Sequence, residues 1–262
     1  MSAAGTGAAV RATPLAPDVV FALRMGDSAL VLGHRMSQWS GHAPVLEEEL
    51  AMANVGLDLI GQAERWLTLA GEREGAGRDA YALAYLRDVH HYRNLLLTEQ
   101  LNGDFALTIV RGLLFDVWHQ MELEALGEAG DAQIAELATK AQKEVHYHVE
   151  RSCEWTLRLG DGTDESHERA QVAVDELWPY SGELFRSDGV RADLVAVGKV
   201  PVAADRAVWR QRIGAVLNEA TLEMPEDGWM ASGGIDGIHG EHLGYLLAEL
   251  QFLQRAYPGA KW

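Results

Sequence analysis

Residues 104–160 read DFALTIVRGLLFDVWHQMELEALGEAGDAQIAELATKAQKEVHYHVERSCEWTLRLG. Asp104 is a side-chain acceptor placed just before an apolar run, the arrangement that caps a helix N-terminus. The run continues without proline to Gly127. A short break follows, Asp131 offers a second cap, and a second helix is predicted as far as Leu159 and Gly160. Two long helices joined by so short a connection must run antiparallel, which is the repeat of an up-and-down bundle.

The same reading extends to both sides. Asp18 is predicted to cap a helix running toward Trp39, broken by Ser40, Gly41 and His42. Pro44 suits a first helical turn, with Glu47, Glu48 and Glu49 in the favourable N-terminal positions and Leu46, Leu50, Ala53, Leu57 and Ile60 at spacings of three and four, ending near Gly71. A third helix is expected over Tyr81 to Leu101, stopping at Asn102-Gly103. Beyond Gly160, a sixth helix should end near Trp178-Pro179, Val190 to Pro201 reads as extended or irregular, and further helices are expected over Asp205–Leu222 and Gly240–Ala256. The fold class is all-α. Residues 1–17, small and rich in Gly and Ala, read as a flexible tail, and 18–262 as one helical domain.

Composition narrows the function. A net charge of −17 on 262 residues excludes a phosphate-backbone partner, because nucleic-acid binding needs a cationic surface. With 48% hydrophobic residues and 8 Trp the chain can bury a large core. No apolar stretch reaches membrane-spanning length, the opening residues lack a secretory pattern, and the lone Cys153 cannot form an internal disulfide, so a cytoplasmic location is expected.

A helical bundle holds a di-iron centre with a carboxylate from each of two helices and a Glu-x-x-His pair from each of two others. This sequence has no Glu-x-x-His. It has Asp-x-x-His four times, at Asp88/His91, Asp116/His119, Asp164/His167 and Asp236/His239, of which the last two fall in turn-rich segments. Glu144 and His148 stand four apart on the fifth helix, a spacing that more often makes a simple contact than a metal site. Arg87, His90, His91 and Arg93 form a local basic cluster, and Arg87, His90, His91 and Asn94 would share one face of a continuous helix. Such a face could meet an acidic partner or a nucleotide-like phosphate.

Several segments occur together and in order: RMGDSALVLGHRMSQW (24–39), GHAP (41–44), ANVGLDLIGQA (53–63), NLLLTEQ (94–100), GEHLG (240–244), LQR (253–255) and Pro258-Gly259. From about Asp18 to Trp262 the chain resembles the C subunits of bacterial phenylacetyl-CoA 1,2-epoxidases, the ring-hydroxylating phenylacetate-CoA oxygenases. The resemblance implies a ferritin-like fold and a place in a multicomponent monooxygenase of aerobic phenylacetate catabolism. It implies that a catalytic A subunit holds the di-iron centre and binds the CoA thioester. An FAD- and iron–sulfur-containing reductase then supplies electrons from NADPH, and no cofactor resides in the C subunit. At the positions that bear ligands in the catalytic relative, this chain has Gln38, Asp58, Gly61 with Gln62 beside it, Asp116, Val145 and His148. An amide, a glycine and a valine cannot retain two irons, so the site reads as dismantled. Asp58, Asp116 and His148 are then expected to pair with one another across the bundle.

Two other readings remain open from the residues alone. The chain could itself be a di-iron oxygenase using Asp88/His91, Asp116/His119 and Glu144/His148, or a free-standing ferritin-like homo-oligomer with a scaffold or storage role.

Overall fold

The computed structural model describes residues 14–260, so the expected tail lies almost wholly outside the described residues. Helices α1 (Pro17–Ser37), α2 (Leu46–Glu74), α5 (Phe105–Leu126) and α6 (Ala132–Gly160) form the bundle. Shorter helices α3 (Ala80–Tyr85), α4 (Leu96–Glu99), α7 (Asp164–Leu177), α8 (Gly189–Ala196), α9 (Arg206–Glu219), α10 (Glu241–Leu250) and α11 (Phe252–Ala256) wrap it. There is no β-strand among the described residues.

Asp104 and Asp131 cap α5 and α6 as the sequence predicts, accepting from the Leu107 and Ile134 backbone N–H groups. Asp18 does not cap α1. That helix starts one residue earlier with Pro17 at its first position, and Asp18 instead meets Arg73 and Lys199. Pro44 lies just before α2, and α2 runs past Gly71 to Gly75, whose φ of 66° ends it in the left-handed region.

Helices α1 and α2 pack closely. Gly33 and Gly56 face each other across α1 and α2, and a Cβ on either would come within 3.1 Å of the other's carbonyl oxygen. A larger residue at either position would push the two helices apart by a few tenths of an ångström. Helices α1 and α5 are buried almost all round, the first by α2, α4 and α8 and the second by α6, α7 and α9. The outer layer is anchored by Trp178 and Trp209, fully buried with ring centroids 5.5 Å apart. Burying one such side chain contributes roughly 2–3 kcal/mol.

Four further expectations need correction. The region 81–101 is not one helix: it breaks into α3, a 3₁₀ turn over Val89–His91, an extended stretch and α4. The cause is side-chain hydrogen bonding from elsewhere in the fold, described below. Residues 190–196 are neither extended nor irregular but belong to α8, which Asp188 caps, and only 197–201 are irregular as expected. The C-terminal helix is split at Gln251, whose buried amide donates to the Ala84 and Arg87 carbonyls and to the Tyr92 hydroxyl.

The fourth concerns α2. Met52, Val55, Gly56, Leu59, Ala63, Trp66, Leu67 and Ala70 make its core face, whereas Leu46, Leu50 and Leu57 lie on the opposite side, 67%, 58% and 66% exposed. The helix carries two apolar stripes, and the one that includes Gly56, where α1 packs closely, takes the core.

Candidate functional site

The centre of the bundle lies where α2, α5 and α6 meet. His148 of α6 is buried, and its Nε2 stands 3.1 Å from Asp58 Oδ2 on α2. One turn along, Gln62 Nε2 donates to Glu144 Oε2 at 2.9 Å, and Arg65 lies 3.8 Å from the same carboxylate. From α5, Asp116 and His119 enter buried. Burial pushes the Asp116 carboxyl up to about 6, against the opposing pull of His148, Ser152 and Arg151. It pushes His119 down to about 3, with His148 adding to the effect.

Of the ligand-equivalent positions, then, Asp58, Gln62, Asp116 and His148 do converge. Val145 is fully buried among them and offers no donor. Gly61 opens onto empty space, with no atom within 4 Å of where a side chain would start. Gln38 does not reach the centre. It is an exposed residue ending α1, where its side-chain oxygen accepts from Arg35 Nη1 at 3.2 Å and Asn102 Nδ2 at 3.4 Å. At the level of Asp58 the first helix presents Gly33, against Gly56, Leu59 and Ile60. No carboxylate comes from that side. Among the described residues no three His, Cys, Asp or Glu side chains are grouped to hold a metal ion. A dinuclear centre needs six donors with open positions between them, and this donor set does not fit one.

A sequence model of the family described as "Phenylacetic acid catabolic protein" matches residues 7–262. The chain belongs to that family. A relative from Escherichia coli (strain K12), the C subunit of 1,2-phenylacetyl-CoA epoxidase, is 45% identical over 246 residues, covering 92% of this chain and 98% of the relative.

The basic cluster within this family fold is not a surface face. Arg87 turns inward and forms a bidentate pair with Asp27 of α1, and Asp27 Oδ2 also accepts the Arg93 backbone N–H at 2.8 Å. That carboxylate pulls 87–93 out of helical register. Asn94 is buried and donates to Glu99 Oε2 at 3.0 Å. Arg93 is half-buried and donates to the His90 and Tyr92 carbonyls. His90 and His91 alone of the five are exposed, their rings 4.0 Å apart. Burial and the neighbouring His90 hold the His91 imidazole below its usual range. Arg87 and Asn94 are thus out of reach of a surface ligand.

The other Asp-x-x-His pairs also separate. Asp88 pairs with Arg255, His167 Nδ1 lies 2.8 Å from the Gly160 carbonyl, and Asp236 pairs with Arg186. His239 is buried between Glu99 Oε2 at 2.8 Å and the Tyr92 carbonyl at 3.1 Å. Cys153 is half-buried, and burial raises its thiol to about 11, which removes it as a nucleophile. Helical spacing does not single out the buried carboxylates Asp27, Glu99, Glu122 and Glu183. The signal that could find them is an acid inside an otherwise apolar stripe.

These groups predict a pH dependence. Burial holds His34 at about 4 and His119 at about 3, so both stay neutral in the fold at pH 5 and take up protons on unfolding. Asp116 acts oppositely: its contribution is present in acid and is lost as pH rises through about 6. Two protons favour the unfolded chain between pH 7 and 5, and one favours the folded chain. Stability should fall on acidification over that range, on the order of 2 kcal/mol. His119→Leu should flatten the profile. Thermal unfolding at stepped pH measures it, and a melting temperature that holds or rises toward pH 5 contradicts it.

Proposed function

We propose that this chain is the non-catalytic, structural subunit of a multicomponent monooxygenase that epoxidises phenylacetyl-CoA in phenylacetate catabolism. Its partner is the catalytic subunit, which carries the di-iron centre and binds the CoA thioester. A separate reductase with FAD and an iron–sulfur cluster passes on two electrons from NADPH. One atom of O₂ enters the aromatic ring as the 1,2-epoxide and the other leaves as water. Membership of the family and the high identity to the C subunit of an epoxidase support the assignment to such a complex.

The observation that carries the structural role is the donor set at the bundle centre. Asp58 and His148 contact each other at 3.1 Å, burial pushes Asp116 up to about 6 and His119 down to about 3, and among the described residues no carboxylate of α1 joins them in a metal-holding group. The Asp58–His148 and Gln62–Glu144 contacts tie α2 to α6.

Reconstitution tests the reading. Catalytic subunit and reductase should turn over phenylacetyl-CoA only when this chain is added, at the same rate with His148→Gln as with the unaltered chain provided the variant still assembles. Loss of turnover in an assembled His148→Gln complex would assign His148 a part in the chemistry.

A further inference from the structure

We infer that the outer face of the N-terminal half of α2, built on Leu46, Leu50 and Leu57, is where the catalytic subunit docks. This rests on the function proposed above and goes beyond it by naming the surface and the chemistry of its occupant.

Leu46, Leu50 and Leu57 fall at helical spacings of four and seven, so they form one strip along α2. Each is more than half exposed. Single exposed leucines are ordinary, but three in register on the solvent side of a helix whose other face already fills the core are not. Nor does anything overhang it at its far end: a Cβ placed on Gly61, one turn beyond Leu57, would meet no atom within 4 Å. An open apolar strip along a helix suits a second helix laid against it.

The rim identifies the occupant. Glu47 and Asp58 flank the strip on the side toward α6, Glu49 flanks it on the other, and Glu64 stands at its far end. Glu47, Glu49 and Glu64 form no ion pair among the described residues, while Glu48, turned inward, is matched by Arg151 at 2.6 Å. An apolar strip rimmed by uncompensated carboxylates fits a partner that presents an apolar ridge edged with Lys or Arg. A second copy of this chain does not qualify. Two-fold pairing would set the same acidic rim against itself, on chains that each carry −17. The occupant is therefore a different polypeptide. Covering the strip would also close over the edge of the Asp58–His148 pair, whose carboxylate side chain is 35% exposed in the isolated chain.

The test uses the full chain co-expressed with the catalytic subunit and followed by affinity capture and size exclusion. Leu50→Glu/Leu57→Glu should fold normally, since both positions are exposed, and should weaken capture by roughly 100-fold. Val197→Glu, an equally exposed apolar position just beyond α8, should leave capture unchanged. Capture of the unaltered chain should weaken with rising salt. If the unaltered chain captures the catalytic subunit and the double variant does so equally well, the docking face is wrong while the functional reading stands. If the unaltered chain fails to capture it at all, the functional reading falls, and the docking proposal falls with it. If the double variant instead dissociates a homodimer, the occupant is a second copy and the charge argument is overturned.

Discussion

Asp27→Ala is expected to destabilise the chain by about 3–5 kcal/mol, the largest effect of any single polar substitution in the bundle. Asp27 and Arg87 are 0% and 3% exposed as side chains. Burial alone would depress the guanidinium, and the Asp27 carboxylate more than restores it. Removing the acid leaves Arg87 with only the Leu83 and His91 carbonyls and the face of Tyr92, 4.3 Å away. It also strands the Arg93 backbone N–H. At roughly 2–4 °C per kcal/mol for a chain of this size, the melting temperature should drop by about 10 °C. Asp27→Ala/Arg87→Met should recover most of the loss, because the cost lies in the unpaired charge more than in the missing pair. A double variant no more stable than Asp27→Ala would show that the stranded N–H, or the broken 87–93 turn, dominates.

Glu183→Ala is the second large effect. This buried carboxylate accepts the backbone N–H groups of Leu96 at 2.8 Å, Gly233 at 2.7 Å and Ile235 at 3.3 Å. It ties the start of α4 to the glycine-rich segment 225–237, which has few helical hydrogen bonds of its own. Three buried donors would lose their acceptor together, at a cost of roughly 3 kcal/mol or more. The signature is local: amide exchange at Leu96, Gly233 and Ile235 should accelerate before global unfolding. Unchanged protection at those three amides would contradict this role for Glu183.

The bundle itself is legible in the sequence because its signals are local. Asp104 and Asp131 cap, and the α5 and α6 runs between Asp104 and Gly160 contain no proline, so neither tertiary contacts nor partners are needed to place them. What spacing cannot give depends on contacts distant in sequence. The segment 87–94 has helical spacing, yet Asp27, some 60 residues earlier, captures Arg87 and the Arg93 N–H and unwinds it. Gln251 splits the last helix by reaching back to residues 84–92. Spacing also does not say which of two stripes on α2 faces inward. Leu46, Leu50 and Leu57 satisfy the same three-and-four pattern as Leu59, Ala63 and Trp66, and only the packing of α1 against Gly56 decides between them. At the candidate site, the Asp58–His148 pair is legible in the sequence, whereas Asp116, expected to join it, forms no ion pair with either among the described residues. The place of Gln38 is not legible, because α1 crosses α2 with Gly33, not Gln38, at the level of Asp58.

If this chain lacks the donors to hold a di-iron centre, iron must follow its partner when the two are parted. The most direct test separates the co-purified subunits under mild conditions and determines iron in each by elemental analysis, with Mössbauer spectra of the iron-57-enriched chains. The expected result is an exchange-coupled ferric pair in the catalytic partner and no stoichiometric iron in this chain. A coupled ferric pair in this polypeptide, lost on Asp116→Ala or His148→Ala, would contradict it.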